Sequence, residues 1–188
     1  MNASKLFRQK ISLMENKFIH IRLSDNFTPA LLRKFKCKDS YLNQFLERKA
    51  KKHQSELLAI TYLVFDSEDN LVGYYTLSSD SMPATDIIRS RFKSGKLYHS
   101  YPAVKIGRFA IDKKYKGCDY GSVVMDFIKF RLANMPQEVA SRYLLVDAYN
   151  NDKVISFYNE KNNFEFWTKD DKDSDTRLMY YDLMKSKL

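Results

Sequence analysis

Residues 113–122, KKYKGCDYGS, carry the most explicit chemistry in this sequence. Lys113, Lys114 and Lys116 bring positive charge to a turn, and Gly117 and Gly121 allow backbone angles that other residues resist. Just before the turn, Val104, Ile106, Phe109 and Ile111 supply β-branched and aromatic residues for a buried strand. Just after it, Val123, Val124, Phe127 and Ile128 recur at helical spacing. A turn that feeds a helix N-terminus offers free N–H groups and the positive end of the helix dipole. The unit is therefore built to hold an anion such as a pyrophosphate. The same strand–turn–helix also serves as a plain connection in many α/β proteins, so the rest of the chain must decide.

The elements that position this turn are read from periodicity. Residues 18–23 alternate as a first strand, and Pro29 opens a helix through Leu31, Leu32 and Phe35. Asp39 or Ser40 caps the next helix, where Tyr41, Leu42, Phe45, Leu46 and Ala50 form an apolar stripe. Residues 57–65 and 71–78 are expected as strands joined by a hairpin turn at 66–70, with Gly73 marking a bulge or a close approach. Residues 80–102 read as irregular or partly helical. Beyond the central unit come a strand at 142–148, a helix at 151–161, a strand at 164–167, a solvated acidic turn at 169–175 and a final strand at 177–183. Residues 1–16 read as a frayed arm or a short helix. This order predicts an α/β architecture: one domain over residues 1–188, with a mixed sheet of six to seven strands and helices on both faces.

Composition narrows the function. A chain of 188 residues that is 44% apolar, with 13 Phe and 13 Tyr, can bury a substantial core. A net charge of +9 points to polyanionic partners, either nucleic acid or a phosphorylated cofactor. Cys37 and Cys118 have no metal-ligand spacing and form no cluster with His20, His53 or His99, so no metal is expected and a reducing cytoplasm is the natural compartment. No apolar run has the character of a signal segment or the length of a membrane span.

Two segments carry a resemblance. KKYKGCDYGS resembles the acyl-CoA-binding signature Q/R-x-x-G-x-G/A of the GNAT N-acetyltransferases, and residues 151–166, NDKVISFYNEKNNFEF, resemble that family's N-x-x-A-x-x-F-Y-x-x-x-G-F segment. The resemblance implies the GNAT fold, in which the fourth and fifth strands splay apart, and acetyl-CoA as cosubstrate. It implies that the backbone of Phe109, Ala110 and Ile111 pairs with the pantetheine arm. The turn Lys116, Gly117, Cys118, Asp119, Tyr120, Gly121 and Ser122 would cradle the pyrophosphate with backbone amides. Asn151 matches the asparagine that contacts pantetheine. Tyr158 matches the tyrosine near the thioester sulfur, where a phenol of ordinary pKa about 10 stays protonated and donates to the departing thiolate. Two positions depart from the pattern. Asp119 replaces the second glycine of the signature and Asn163 the closing one, although both residue types tolerate the left-handed region. An Asp beside a pyrophosphate is unfavourable unless its side chain points to solvent. The strand also lacks the Glu that serves many family members as general base; Asp112 is nearby but sits next to the turn. The α-amine of an aminoacyl ester, less basic than a lysine, needs no such base.

Residues 35–54, FKCKDSYLNQFLERKAKKHQ, together with TYLVF, VGYYTLSS and YPAVKIGRFAID, resemble a GNAT subgroup: the acetyltransferase toxins of toxin–antitoxin modules. That implies acetylation of the α-amine of aminoacyl-tRNA, a ribbon-helix-helix antitoxin as partner, and a homodimer. By charge and placement Lys49, Lys51, Lys52, Arg89, Arg91, Lys93 and Arg108 are candidates for tRNA contact. The cations of residues 48–53 serve equally well to complement a helix C-terminus. Two alternatives stand beside this reading. One is an enzyme that acetylates a small-molecule or protein amine. The other is a non-catalytic interaction domain, which Asp119 favours and Tyr158 opposes.

Overall fold

The computed structural model describes residues 17–92, 98–134 and 139–187. The arm expected over 1–16 and the candidate Lys93 lie outside them. Among the described residues, seven strands, β1 Ile19–Arg22, β2 Ile60–Phe65, β3 Leu71–Pro83, β4 Ser100–Ile111, β5 Tyr143–Tyr149, β6 Glu165–Phe166 and β7 Thr176–Asp182, form one mixed sheet in the order β1-β2-β3-β4-β5-β7-β6. The β1–β2, β2–β3, β5–β7 and β6–β7 pairs are antiparallel. β4 and β5 are parallel, from Ala103↔Tyr143 to Lys105↔Leu145. A parallel pair needs a long crossover, and the helix Tyr120–Asn134 lies within it. Among the described residues, no helix is long and apolar enough to cross a membrane.

The elements are shared between two compact units, one running to Ser78 and including Ile106–Ile128, the other comprising Ser79–Lys105 and Lys129–Lys187. In the first, the helix Pro29–Lys34 has Pro at its start and Thr28 as cap, and Ser40–Gln44 is capped by Asp39, whose Oδ1 accepts from the Tyr41 amide at 2.8 Å. A π-helical turn, Phe45–Lys49, leads into the helix Ala50–Ser55. Phe45, Leu46 and Ala50 from the expected stripe pack with Leu23, Leu63 and Tyr74. Two expected strands are shorter than their apolar residues imply. Ile19 and Ile21 point outward from the four-residue edge strand β1, which is held by buried Phe18 and Leu23 on either side. Leu57 is not in a strand: it is 90% exposed and takes φ +57° as the preceding helix ends. The Gln54 amide group bridges the Leu23 carbonyl (2.6 Å) and the Thr61 N–H (3.1 Å), and β2 begins its pairing with β3 at Ile60, beside that bridge.

In the second unit β3 continues to Pro83, beyond the expected end at 78, and a short helix, Asp86–Arg89, is capped by Thr85. Met82, Ile88, Tyr101, Tyr143, Leu145 and Tyr180 form its core. The loop at 169–175 is more than a solvated turn. Asp171 accepts from the Leu178 amide (2.9 Å) and from Arg177 Nε (3.0 Å), while Asn150 Nδ2 donates to the carbonyls of Lys172 and Ser174.

Candidate active site

In the first unit, β4 delivers the chain to Asp112, which is 2% exposed. Its Oδ2 accepts from the Lys36 amide at 2.8 Å and its Oδ1 from the Lys114 amide at 3.0 Å, while its own N–H donates to the Val72 carbonyl. Both carboxylate oxygens are thus engaged in fixing the strand-to-turn junction, and Asp112 stands as an anchor of the turn rather than a base. A 3₁₀ turn, Lys113–Tyr115, follows, then Gly117 at φ +87° with nothing within 4 Å of where a Cβ would stand. Asp119 takes φ +54°, the left-handed region in which the usual signature prefers glycine. Its carboxylate is exposed and accepts from the Ser122 hydroxyl at 3.0 Å.

The amides of Ser122 and Val123 both donate to the Asp119 carbonyl. The first amides of a helix have no partner inside it. Those of Asp119, Tyr120 and Gly121 donate to no described residue and open the 15-residue helix Tyr120–Asn134, with exposed Lys116 alongside. Tyr115 and Tyr120 stack at 5.3 Å, and the Tyr115 hydroxyl donates to Asp66, which steadies the flank of the turn.

The same unit carries four of the basic candidates. Arg108 lies 3.7 Å from the Phe45 ring centroid and donates to the Tyr41 hydroxyl at 3.2 Å; that hydrogen bond and the Arg108 charge draw the Tyr41 phenol below its ordinary range. Lys49 Nζ stands 5.8 Å from the Tyr41 ring centroid. Lys51 reaches Asp25, and Lys52 lies 3.8 Å from Glu56 on the same helix.

The second unit holds Asn151 and Tyr158. Asn151 caps the helix Asp152–Ser156, its Oδ1 accepting from the Val154 amide at 3.1 Å. The helix widens into a π-helical turn, Phe157–Lys161, which carries Tyr158. Tyr158 is 7% exposed and its ring packs edge-on against Phe157 and Phe164. Its hydroxyl bonds to no described residue, and burial pushes the phenol up, so it is protonated throughout the neutral range. Asn163, at the other family glycine position, takes φ +56°.

Two candidates of this unit are engaged internally. Arg89 pairs with Asp86 at 3.1 Å, and Arg91 contacts Glu165 (2.9 Å), the Tyr180 hydroxyl (3.0 Å) and Asp182 (4.0 Å). Burial works against the Arg91 charge, but its bond to Glu165 outweighs it and holds the guanidinium above its ordinary pKa. Sequence reasoning passed over the buried pair Lys129 and Asn162 in this unit. The available signal was a lysine four residues after Met125, on the apolar stripe of its helix.

The model of the acetyltransferase (GNAT) family matches residues 29–164. The chain belongs to that family. It is an acyltransferase with acetyl-CoA as donor. Its fold is shared with several solved structures. A tyrosine-to-phenylalanine variant of KacT matches with TM-score 0.71 at 21% identity, over 90% of this chain and 97% of that one. AtaT complexed with acetyl-methionyl-tRNAfMet matches with TM-score 0.70 at 21% identity, over 89% and 96%. A variant of the AtaT toxin bound to the C-terminus of the antitoxin AtaR and to acetyl-CoA matches with TM-score 0.66 at 19% identity, over 90% and 95%.

The residues of this GNAT chain fit its cosubstrate chemically. The amides at 119–121, with Lys116, match a pyrophosphate; the Asp119 carboxylate among them is exposed to solvent and accepts from the Ser122 hydroxyl. A buried phenol with no hydrogen-bond partner among the described residues matches a group that arrives with the substrate.

Proposed function

We propose that this GNAT enzyme acetylates the α-amine of aminoacyl-tRNA. The observation that carries the reading is Tyr158, a buried phenol, protonated at neutral pH, whose hydroxyl bonds to no described residue. Bound acetyl-CoA supplies the activated acetyl group. The amides of Asp119, Tyr120 and Gly121 bind its pyrophosphate, and the backbone of Phe109, Ala110 and Ile111 orients the pantetheine arm. As the neutral α-amine bonds to the thioester carbonyl carbon and the C–S bond breaks, Tyr158 would give its proton to the departing thiolate, and the proton shed by the acylated nitrogen would restore the phenol. Asn151 contributes through the carboxamide N–H groups that remain after its oxygen caps the helix. No described carboxylate is assigned as base, which suits an amine already partly neutral at pH 7.

The acceptor assignment draws support from the solved structure of AtaT with acetyl-methionyl-tRNAfMet and from the positive charge of this chain. Lys49, Lys51, Lys52 and Arg108 are the proposed RNA contacts, Lys51 and Lys52 having the longer ion pairs with Asp25 (3.7 Å) and Glu56 (3.8 Å); Arg89 and Arg91 are secondary because Asp86 and Glu165 hold them at 3.1 and 2.9 Å. A protein antitoxin belongs to the same reading, supported by the AtaT–AtaR complex.

The test uses labelled acetyl-CoA with charged tRNA, uncharged tRNA, free amino acids and a lysine peptide. Label should enter charged tRNA alone. Tyr158→Phe should lower kcat by roughly 10²–10⁴, the usual range for a positioned proton donor, with calorimetric acetyl-CoA affinity retained. Acetylation of the free amines at equal efficiency would replace the tRNA reading with the small-amine one.

A further inference from the structure

Lys129 is 3% exposed, unusual for a lysine, and sits in the helix Tyr120–Asn134. Its Nζ donates to the main-chain carbonyl of Asn162 at 2.8 Å and lies 3.5 Å from Asn162 Oδ1. The ammonium also stands 4.8 Å from the Tyr181 ring centroid and 5.6 Å from that of Phe164. Asn162 is fully buried, and its Nδ2 donates to the Phe157 carbonyl at 2.7 Å. That carbonyl opens the π-helical turn carrying Tyr158, and Asn162 closes it.

The neighbouring bonds lock the same turn. The Phe164 amide donates to the Tyr158 carbonyl (2.9 Å), the Asn163 amide to the Asn159 carbonyl (3.0 Å), and Asn159 Nδ2 to the Phe164 carbonyl (2.7 Å). A π turn is a rare winding, found mostly as a single turn within an α-helix, and here its surroundings hold it. Lys129 supplies a cation at the C-terminal, electronegative end of the turn, where the dipole favours one. Through Asn162 it grips both ends of a segment with Tyr158 at its second position.

We infer that Lys129 is a positioning residue for the Tyr158 phenol, acting through Asn162. The inference rests on the proton-donor role proposed for Tyr158. Without the ammonium the buried Asn162 carbonyl loses its donor, the turn relaxes toward α-helical winding, and the phenol moves off the line of the departing sulfur. Displacement by about 1 Å of a reacting group costs up to ~10²-fold in rate.

The test is a double-mutant cycle on the full chain. Lys129→Met alone should lower kcat roughly ten- to hundredfold while leaving acetyl-CoA KM and calorimetric affinity unchanged. In the Tyr158→Phe background the same substitution should cost nothing further, because the group it positions is already gone. Amide exchange across residues 157–164 of the ligand-free protein should quicken in Lys129→Met and not in Tyr158→Phe.

A full further loss of kcat in the Tyr158→Phe background overturns the inference, as does wild-type kcat in Lys129→Met. If Lys129→Met fails to fold, Asn162→Asp runs the same cycle: it keeps an oxygen for Lys129 but removes the donor to Phe157. Failure of that variant to fold as well overturns positioning in favour of a purely structural role. Wild-type kcat in Tyr158→Phe overturns the proton-donor reading and the inference together, whereas an impaired Tyr158→Phe without coupling overturns the inference alone.

Discussion

At Gly73, β3 passes so close to β4 that a Cβ would stand 2.7 Å from the Ala110 carbonyl oxygen and 2.8 Å from Ile111 Cδ1. Side-chain rotation can clear Ile111, but the Ala110 carbonyl belongs to the strand backbone and moves only with it. The β2–β3 register also shifts here, Val64 facing Gly73 and Phe65 facing Leu71, so Val72 is the extra residue of a bulge. Gly73→Ala therefore adds one methyl against an unyielding neighbour. Overpacking of this kind costs about 1–3 kcal/mol. Removing glycine from a strand interior returns about 0.5–1 kcal/mol. The net destabilisation centres near ~1 kcal/mol, which for a chain of this size is roughly 2–4 °C in Tm.

The functional consequence is the sharper readout. The displaced carbonyl lies in the segment Phe109, Ala110 and Ile111, proposed to orient the pantetheine arm. Gly73→Ala should weaken calorimetric acetyl-CoA affinity in addition to lowering the melting temperature, and acetyl-CoA should raise Tm by less in the variant than in the parent. Leu71→Ala, in the same strand but outside that approach, serves as a control that loses stability by truncation without losing affinity. A Gly73→Ala protein as stable as the parent, with unchanged affinity, would refute the close-approach argument.

Asp112→Asn turns one of two acceptors into a donor facing a backbone N–H, so about 1–3 kcal/mol should be lost; a melting temperature equal to that of the parent would remove Asp112 as the anchor of the turn. Burial opposes the Glu165 carboxylate, but hydrogen bonds from Lys185, Tyr180 and Arg91 outweigh it and bring its pKa to about 2. Because that lies below the unfolded value of about 4.3, the stabilisation is complete above the unfolded value and is lost as pH falls through the folded one. The Tm gap between parent and Glu165→Gln should accordingly close on acidification across that window, and a gap independent of pH would sink the assignment. Combined Lys49→Glu and Lys52→Glu should flatten the salt dependence of charged-tRNA binding by about 0.9 in log–log slope for each duplex phosphate that is no longer neutralised, whereas Arg91→Glu should lower Tm; an unchanged slope would discard this face.

What the sequence reveals about this enzyme follows the range of the interactions involved. Caps and turns are local: Asp39 capping its own helix, Pro29 at a helix start and a turn between β2 and β3 need only neighbours a few residues away, and all are where their residue types place them. The two departures from the family glycines are legible for the same reason, since Asp119 and Asn163 answer to their own backbone angles, +54° and +56°. The role of a charged side chain is different, because it depends on which distant groups the fold brings against it. Arg91 looks like its neighbours in the chain, yet Glu165, 74 positions away, takes its charge. Asp112 looks like a spare carboxylate until Lys36 is seen to donate to it.

The same distinction bears on catalysis. Tyr158 is readable as a motif position, but a phenol donates usefully only where it is held. Its holding groups are a lysine 29 positions before it and the asparagine that this lysine grips across 33 positions. Neither residue type announces such a role by itself. A GNAT sequence that keeps the tyrosine while losing the buried lysine would still match the family segment, but would present its phenol on an unclamped turn. Rate differences between such chains are then expected in kcat, through proton delivery to sulfur, and not in the affinity for acetyl-CoA, whose pyrophosphate is proposed to be held by the amides of residues 119–121.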